Sequence, residues 1–215
     1  VYNIVDQKIL IDTDFDYKMD DAYNSFLECD NNYDVKYKFN KINELENNLF
    51  LESKKLHSKN LIQIYDNKNG YLRLYLNLSQ QEPYGYLKEE KSDNKEYNVY
   101  IDLNKNVDVN TFKIFEMIGL ESYFCKKNIF ILHSSYIKWN DGAILFSGPS
   151  GMGKSTQADL WNKYEGCEII NGDRSAITKK DGVWNAYGLP FAGSSRIYKN
   201  VKNPIKCVVV LKQAK

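Results

Sequence analysis

The chain has 215 residues, 43% of them hydrophobic, which is enough for one large or two small domains with a hydrophobic core. Its 29 Lys and Arg residues nearly balance its 28 Asp and Glu residues, which argues against the basic surface of a nonspecific nucleic-acid-binding protein. No segment reaches the roughly 18 consecutive apolar residues of a membrane-spanning helix, and the N-terminus lacks a signal-peptide pattern. We expect a cytoplasmic protein that binds neither nucleic acid nor membranes.

The cysteines indicate neither a zinc site nor a disulfide framework. They lie far apart, form no CxxC pair and are accompanied by only 2 histidines. We therefore expect reduced, partly buried thiols at Cys29, Cys125, Cys167 and Cys207.

The first half of the chain is typical of a mostly antiparallel sheet. Apolar and polar residues alternate, the period of half-buried strands, over 2–12, 33–40, 61–66, 71–78 and 97–103. The "DNKNG" stretch that ends at Gly70 predicts a hairpin turn, and the polar tract 88–96 predicts a solvated loop. We expect a β-rich domain over residues 1–106 that captures a substrate or partner. Its tyrosines, including Tyr71, Tyr75, Tyr84 and Tyr86, either form a recognition surface or pack within the sheet, and the alternation favours packing.

The second half, residues 107–215, has a different pattern. Apolar residues at spacings of three and four from Val107 predict a helix that ends near Gly119. Further predicted elements are strands at 129–139 and 143–148, a turn at 140–142, a helix at 154–164 stopped by Gly166, and strands at 167–171, 182–188 and 205–213. A nucleotide-binding sheet needs more cover than these elements supply, so we expect this domain to continue beyond Lys215.

The segment "GPSGMGKS" joins the second of these strands to the helix and matches the phosphate-binding pattern G-x-x-x-x-G-K-[ST]. Gly148, Gly151 and Gly153 let backbone N–H groups wrap closely round phosphate, and Lys154 adds a positive charge. The hydroxyl of Ser155 is a Mg²⁺ ligand in such loops, and the helix N-terminus favours the same anion. The alternative is a glycine turn that binds nothing, but a strand before and a helix after favour phosphate binding.

An acidic residue follows the next predicted strand. Asp173, in "EIINGDRSAI", lies at the strand's C-terminal end, where ligands bind in α/β sheets. It is the candidate for metal binding or proton transfer, and the alternative is an ordinary Gly172-Asp173 turn. Arg174 either pairs with a neighbour of Asp173 or with a phosphate, or is simply solvated. In the segment 187–198, Ser194, Ser195 and Arg196 either line the cleft, where Arg196 suits bidentate phosphate contact, or belong to an ordinary loop.

The stretches "LHSSYIKWNDGAILFSGPSGMGKSTQADLW" and "EIINGDRSAI" resemble the catalytic domain of the HPr kinase/phosphorylase family, whose fold is related to phosphoenolpyruvate carboxykinase. The resemblance covers residues 129–178, and it is closer to a divergent branch met beside peptide-modification systems. His133 stands where the family has a histidine, but Ser134 replaces the glycine that follows it. The family's paired acids are reduced to Asp173. The first 110 residues do not resemble the family's usual N-terminal domain.

The resemblance implies an α/β fold with a P-loop, HPr kinase/carboxykinase-like nucleotide-binding core, and an enzyme that uses ATP and Mg²⁺ to phosphorylate a hydroxyl, with serine of a peptide or protein as the expected acceptor. It implies catalytic roles for Asp173, His133 and Lys154 and metal binding by Ser155 and Asp173. The expected nucleotide-binding set is Gly148, Ser150, Gly151, Met152, Gly153, Lys154, Ser155, Thr156 and Arg196.

Two other functions stay open at this point. A nucleotide-binding regulator or scaffold that has lost catalysis is compatible with the single acid in "NGD". A carboxykinase-like enzyme would need further metal ligands, which the sequence does not offer. The acceptor, the choice between ATP and GTP, and homo-oligomer formation are all left open by the sequence.

Overall fold

In the computed structural model, residues 1–59, 61–78, 81–90, 95–105, 107–191, 193 and 195–212 are described. They form a strand-rich mixed α/β fold with two sheets. The chain divides into two units, one of Val1–Asn3 with Gln7–Leu120 and one of Ile4–Asp6 with Glu121–Lys215. The sequence predicts a boundary after residue 106, whereas this division follows Leu120.

The first unit is built on an eight-stranded sheet of order β1-β2-β3-β8-β7-β6-β5-β4. Its strands are β1 (Tyr2–Ile4), β2 (Gln7–Thr13), β3 (Val35–Ile42), β4 (Lys54–Lys59), β5 (Ile62–Asn67), β6 (Gly70–Leu76), β7 (Pro83–Glu90) and β8 (Glu96–Asp102). From β4 to β8 the neighbouring strands are antiparallel, while β3 runs parallel to both β2 and β8. The helices α1 (Asn47–Leu51) and α2 (Thr111–Met117) also belong to this unit. The prediction of a mostly antiparallel sheet is confirmed.

Two strands of this sheet are missing from the sequence prediction. Strand β4 is exposed at every residue, so it has no apolar alternation to reveal it. Strand β7 contains Pro83, Gly85 and charged residues that resemble loop composition. Position 85 requires glycine because a Cβ there would lie only 2.5 Å from the Tyr100 carbonyl oxygen of the neighbouring strand. The predicted loop at 88–96 is wrong at its ends, which belong to β7 and β8, and residues 91–94 lie outside the described residues.

The tyrosines of this sheet pack rather than form a surface. Tyr75, Tyr84 and Tyr86 are buried, whereas Tyr71 is partly exposed. The ring of Tyr86 stacks on Tyr100 with centroids 4.7 Å apart. Packing was the favoured interpretation of the alternation, and it is confirmed for three of these four side chains.

The helix predicted after Val107 is two helices. Asn110 caps α2 by accepting a hydrogen bond from the Lys113 backbone N–H at 3.0 Å. The chain then turns at Gly119, whose φ of +56° interrupts the helical path, and α3 (Leu120–Lys126) follows.

The second unit is built on β9 (Phe130–Trp139), β10 (Gly142–Ser147), β11 (Glu168–Asn171), β12 (Arg174–Lys180), β13 (Val183–Gly188) and β14 (Lys202–Val210), with α4 (Lys154–Glu165) after β10. The strand order is β10-β14-β13-β12-β9-β11, and a further pairing of β10 with β9 closes the circuit. The long strand β9 pairs with β10 on one side and with β11 and β12 on the other. Every strand predicted here is present, and β12 is an addition. The predicted end of the last strand at Gln213 lies outside the described residues.

Alternating side chains of β9 and β10 face two cores. Tyr136 and Leu145 lie in a buried cluster with Ile170, whereas Ile137 and Phe146 lie in a second cluster that includes Ala158 of α4. Helix α4 thereby packs on the strand that leads into it. It ends at Gly166, whose φ is +67°, as predicted.

The four cysteines are unpaired, and only Cys167 is buried, so the expectation of partial burial is wrong for the other three. Within the described part of the chain, no helix has the length and apolar character needed to cross a bilayer.

Candidate functional site

The glycine-rich segment forms a loop between β10 and α4. The strand ends at Ser147 and the helix begins at Lys154. Gly151 and Gly153 have φ values of +79° and +84°, in the left-handed region that only glycine adopts without strain. A Cβ on either residue would have no atom within 4 Å, so both positions face open space rather than packed side chains. A ligand can approach this backbone closely.

The side chain of Lys154 folds back into the loop. It is 8% exposed, and its Nζ donates hydrogen bonds to the carbonyl oxygens of Gly148 and Pro149, both at 3.0 Å. An ammonium group has three donors and no acceptor, so it can bond an anion while keeping part of this set. The hydroxyl-bearing residues that follow it, Ser155 and Thr156, are exposed at the N-terminus of α4, where the first N–H groups of a helix have no intrahelical partner.

Strand register brings the loop close to the two other predicted catalytic residues. Ser147, the last residue before the loop, pairs with Ser134 of β9. On the other side of β9, the Ser134 N–H donates to the Asp173 carbonyl oxygen at 3.0 Å, and Arg174 pairs with His133. Adjacent strands lie about 4.8 Å apart, so the start of the loop and the Asp173 backbone are about 10 Å apart. One strand thus separates the phosphate-binding pattern from the acid.

The Asp173 side chain lies between two cationic or potentially cationic groups. Its Oδ1 is 3.4 Å from His133 Nε2, and its Oδ2 is 3.1 Å from Arg174 Nε. The carboxylate is 27% exposed, whereas the histidine and arginine side chains are about half exposed. Asp173 is therefore accessible from solvent, as a group that exchanges protons with a bound molecule must be. The imidazole points toward Asp173 and solvent rather than into the sheet.

The backbone that carries Asp173 is held by buried polar side chains that the sequence analysis did not single out. Asn171 accepts hydrogen bonds from the N–H groups of Asp173 and Arg174, both at 2.9 Å, and Ser135 Oγ donates to the Gly172 carbonyl at 3.0 Å. Both supporting side chains are 0% exposed. The sequence could have indicated them only as polar residues within apolar strands. Polar residues at strand ends are too common for that pattern to predict a functional role.

The segment 187–198 is brought to Asp173 only in part. A Cβ on Gly193 would lie 3.1 Å from Asp173 Cγ, so the backbone there passes close to the acid. Ser195 lies against Gly172. Arg196 is exposed with φ +51°, and in the described part of the chain no hydrogen bond or ion pair joins its side chain to Asp173 or the loop. Ser194 lies outside the described residues.

The candidate metal ligands of the site are two oxygen-bearing side chains. The described residues hold no group of three or more His, Cys, Asp or Glu side chains that could bind a metal ion by itself. Ser155 Oγ and the Asp173 carboxylate are oxygen donors of the kind that Mg²⁺ takes, and Mg²⁺ normally keeps several waters and phosphate oxygens in its shell. The two residues fit a magnesium–nucleotide complex better than a free ion.

A separate groove of about 430 Å³ lies between α4 and the end of β9. Its lining is Trp139, Gln157, Leu160, Trp161, Tyr164 and Glu165. None of the predicted site residues contributes to it, so the groove and the glycine-rich loop are distinct features of this unit.

Comparisons with known proteins give little to place beside this geometry. No protein-family model matches the chain, and no curated protein matches it. Among solved structures, the chain is similar to the Hpr(Ser) kinase/phosphatase from Coxiella burnetii, with 10% sequence identity and a TM-score of 0.30. The match covers 37% of this chain and 58% of that protein, so the chain spans less than two thirds of its length.

Proposed function

We propose that this chain is an ATP-dependent kinase that transfers the γ-phosphoryl group to a hydroxyl, with serine in a peptide or protein as the expected acceptor. The observation that carries the proposal is the register of β9, which has the residue before the glycine-rich loop on one side and the Asp173 turn on the other. Phosphoryl transfer is catalysed mostly by positioning and charge stabilisation. A phosphate-binding loop with an acid nearby is the smallest set of groups that it needs.

The loop supplies the nucleotide-binding half of the proposal. Backbone N–H groups at Ser150 to Gly153 and the N-terminus of α4 would surround the phosphates, since the left-handed glycines leave the space at Gly151 and Gly153 open. The Lys154 ammonium would exchange its bonds to Gly148 and Pro149 for phosphate oxygens.

Ser155 and Asp173 are the proposed Mg²⁺ ligands. When bound, Mg²⁺ would offset the negative charge that develops on the phosphate oxygens. The exposed hydroxyl of Ser155 at the second residue of α4 and the solvent-accessible carboxylate of Asp173 leave room for this role.

Asp173 is also the proposed proton acceptor. In the transfer step a bond forms between the acceptor hydroxyl oxygen and the γ-phosphorus, and the bond from the γ-phosphorus to the β,γ-bridging oxygen breaks, with ADP as the leaving group. The hydroxyl proton moves to the Asp173 carboxylate. His133 contacts that carboxylate at 3.4 Å and would hold its orientation, while Arg174 would offset negative charge.

Calorimetry with ATP and Mg²⁺ tests the binding half. We expect the wild-type protein to bind and Lys154→Ala to lose about 10- to 100-fold in affinity, since a hydrogen bond to a charged group contributes about 1.5–3 kcal/mol. A folded wild-type protein that takes up neither ATP, ADP nor GTP would refute the proposal.

An ADP-release assay with serine-containing peptides tests the chemical half. Asp173→Asn keeps the shape of the side chain but cannot take up a proton at neutral pH. We expect it to retain binding of ATP in the absence of Mg²⁺ and to lose about 100-fold or more in turnover, the usual contribution of a general base. Unchanged turnover would remove Asp173 from the mechanism.

A nucleotide-binding regulator without catalysis is the second candidate. The observation that favours it is that both Asp173 oxygens already have partners, His133 on one and Arg174 on the other. A carboxylate with a purely structural role makes the same kind of contacts. Tight ATP binding by the wild type, with no ADP release above the buffer rate, would favour this candidate over the kinase.

A further inference from the structure

Asn171 makes an unusually complete set of hydrogen bonds at the end of β11. Its Oδ1 accepts from the N–H groups of Asp173 and Arg174, and its Nδ2 donates to the carbonyl oxygens of Leu189 at 3.0 Å and Phe191 at 2.9 Å. A side-chain amide has two N–H donors and an oxygen with two lone pairs, so all four capacities are used. The residue is 0% exposed.

These bonds join the Asp173 turn to the chain that follows β13. The same turn is also bound where that chain returns, because the Lys199 N–H donates to the Ile170 carbonyl at 3.0 Å and the Gly172 N–H donates to the Ile197 carbonyl at 3.4 Å. Segments 189–191 and 195–199 thus form hydrogen bonds with three consecutive residues, Ile170 and Asn171 at the end of β11 and Gly172 after it. Between these segments, Gly193 lies against the Asp173 carboxylate. A Cβ at this position would be 3.1 Å from Asp173 Cγ.

We propose that Asn171 is a positioning residue for phosphoryl transfer, which fixes the Asp173 carboxylate relative to residues 189–191 and makes the Gly193 backbone one wall of the acceptor site. The inference rests on the proposed function. Asparagine is required because the side chain must donate twice and accept twice from one short amide. Aspartate has the same shape but no donors, so it would set a negative charge against the carbonyl oxygens of Leu189 and Phe191.

Asn185 provides a matched control. It is a buried asparagine in the same sheet, 8% exposed, and its Nδ2 donates to the Val183 carbonyl at 3.0 Å. It pairs with Thr178 and Pro204, away from the Asp173 turn. Asn185→Asp therefore places a carboxylate at another buried position of this unit without touching Asp173.

The first readout does not depend on activity. The chain has 2 histidines, His57 and His133, so a ¹H–¹³C spectrum contains two imidazole Cε1–Hε1 signals, which His57→Gln assigns. His133 contacts Asp173, so its signal reports the position of the carboxylate at constant pH. We expect Asn171→Asp to move the His133 signal and leave the His57 signal in place, whereas Asn185→Asp moves neither.

The second readout separates binding from chemistry. We expect Asn171→Asp to bind ATP in the absence of Mg²⁺ with wild-type affinity and to lower kcat for ADP release by about 100-fold, the cost of a displaced catalytic group. Gly193→Ala is the second variant, made at an exposed position, and should move the same signal and lower kcat because its Cβ presses on Asp173. If Asn171→Asp does not fold, Asn171→Ala, which removes the four hydrogen bonds without adding a charge, takes its place in both readouts.

An unmoved His133 signal in folded Asn171→Asp or Gly193→Ala protein would overturn the inference, as would an equal loss of kcat in Asn185→Asp. If the wild type releases no ADP, the kinase proposal fails by itself, and the NMR comparison still decides whether Asn171 positions Asp173.

Discussion

The two glycines that flank α4 allow the cost of backbone conformation to be separated from the cost of lost phosphate binding. Gly153 precedes the helix with φ +84°, and Gly166 follows it with φ +67°. At both positions a Cβ would have no atom within 4 Å, so alanine adds no steric clash. The left-handed conformation costs a non-glycine residue about 1–2 kcal/mol, and we expect both Gly153→Ala and Gly166→Ala to lose this amount of unfolding free energy.

The two variants should differ in nucleotide binding. Gly153 lies in the loop, and a Cβ there occupies space that a phosphate would need, so we expect at least about 10-fold weaker binding of ATP·Mg²⁺, or about 1.4 kcal/mol. Gly166 lies at the opposite end of the helix and should leave affinity unchanged. Urea unfolding and calorimetry on both variants give the four values needed.

Two results would refute this reasoning. If Gly166→Ala also loses affinity, weaker binding reports a destabilised helix rather than an obstructed loop. If the two unfolding costs differ by more than about 1 kcal/mol, the shared left-handed conformation is not their common cause.

Three further predictions concern stability. Burial raises the pKa of Tyr136 to about 12 from 10.0, so the unfolded state loses its proton first and the free energy of unfolding should fall between pH 10 and 12. The slope of about 1.4 kcal/mol per pH unit from this residue should vanish in Tyr136→Phe, measured by urea unfolding at each pH. Gly119→Ala should cost about 2–4 kcal/mol in thermal or urea unfolding, because the strain of φ +56° adds to a Cβ placed 2.9 Å from Leu87 Cδ2; a cost under 1 kcal/mol would contradict this. The buried hydroxyls of Ser134 and Ser175 are 2.5 Å apart, so each single alanine variant should cost about 1–3 kcal/mol and the double variant less than their sum, as a double-mutant cycle would show.

The features that the sequence predicts well are local ones. The strand, glycine-rich loop and helix from Gly142 to Glu165 follow from an apolar run, left-handed glycines and a glycine stop, all within one stretch of chain. The turn before Gly70 is equally local. Each of these depends on backbone preferences of the residues themselves, so no knowledge of distant partners is needed.

Several features that the sequence misses depend on partners far along the chain. Strand β12 has few apolar residues, and it exists because β9 and β13 supply hydrogen bonds on its two sides. The closed circuit of strands requires the pairing of β10 with both β9 and β14. The contact between His133 and Asp173 likewise depends on the register of β12 on β9. The first pair of that register, Arg174 and His133, is separated by 41 positions in sequence, so neither segment alone predicts the contact.

At Ser134 the backbone matters more to the candidate site than the side chain does. Its backbone lies opposite Ser147, the last residue before the glycine-rich loop, and its N–H donates to the Asp173 carbonyl on the other side. Both of these contacts come from the main chain, so they do not depend on the identity of the side chain. The serine side chain is used elsewhere, in the buried pair with Ser175. The spacing between the loop and Asp173, on which the proposed phosphoryl transfer depends, is therefore set by backbone pairing.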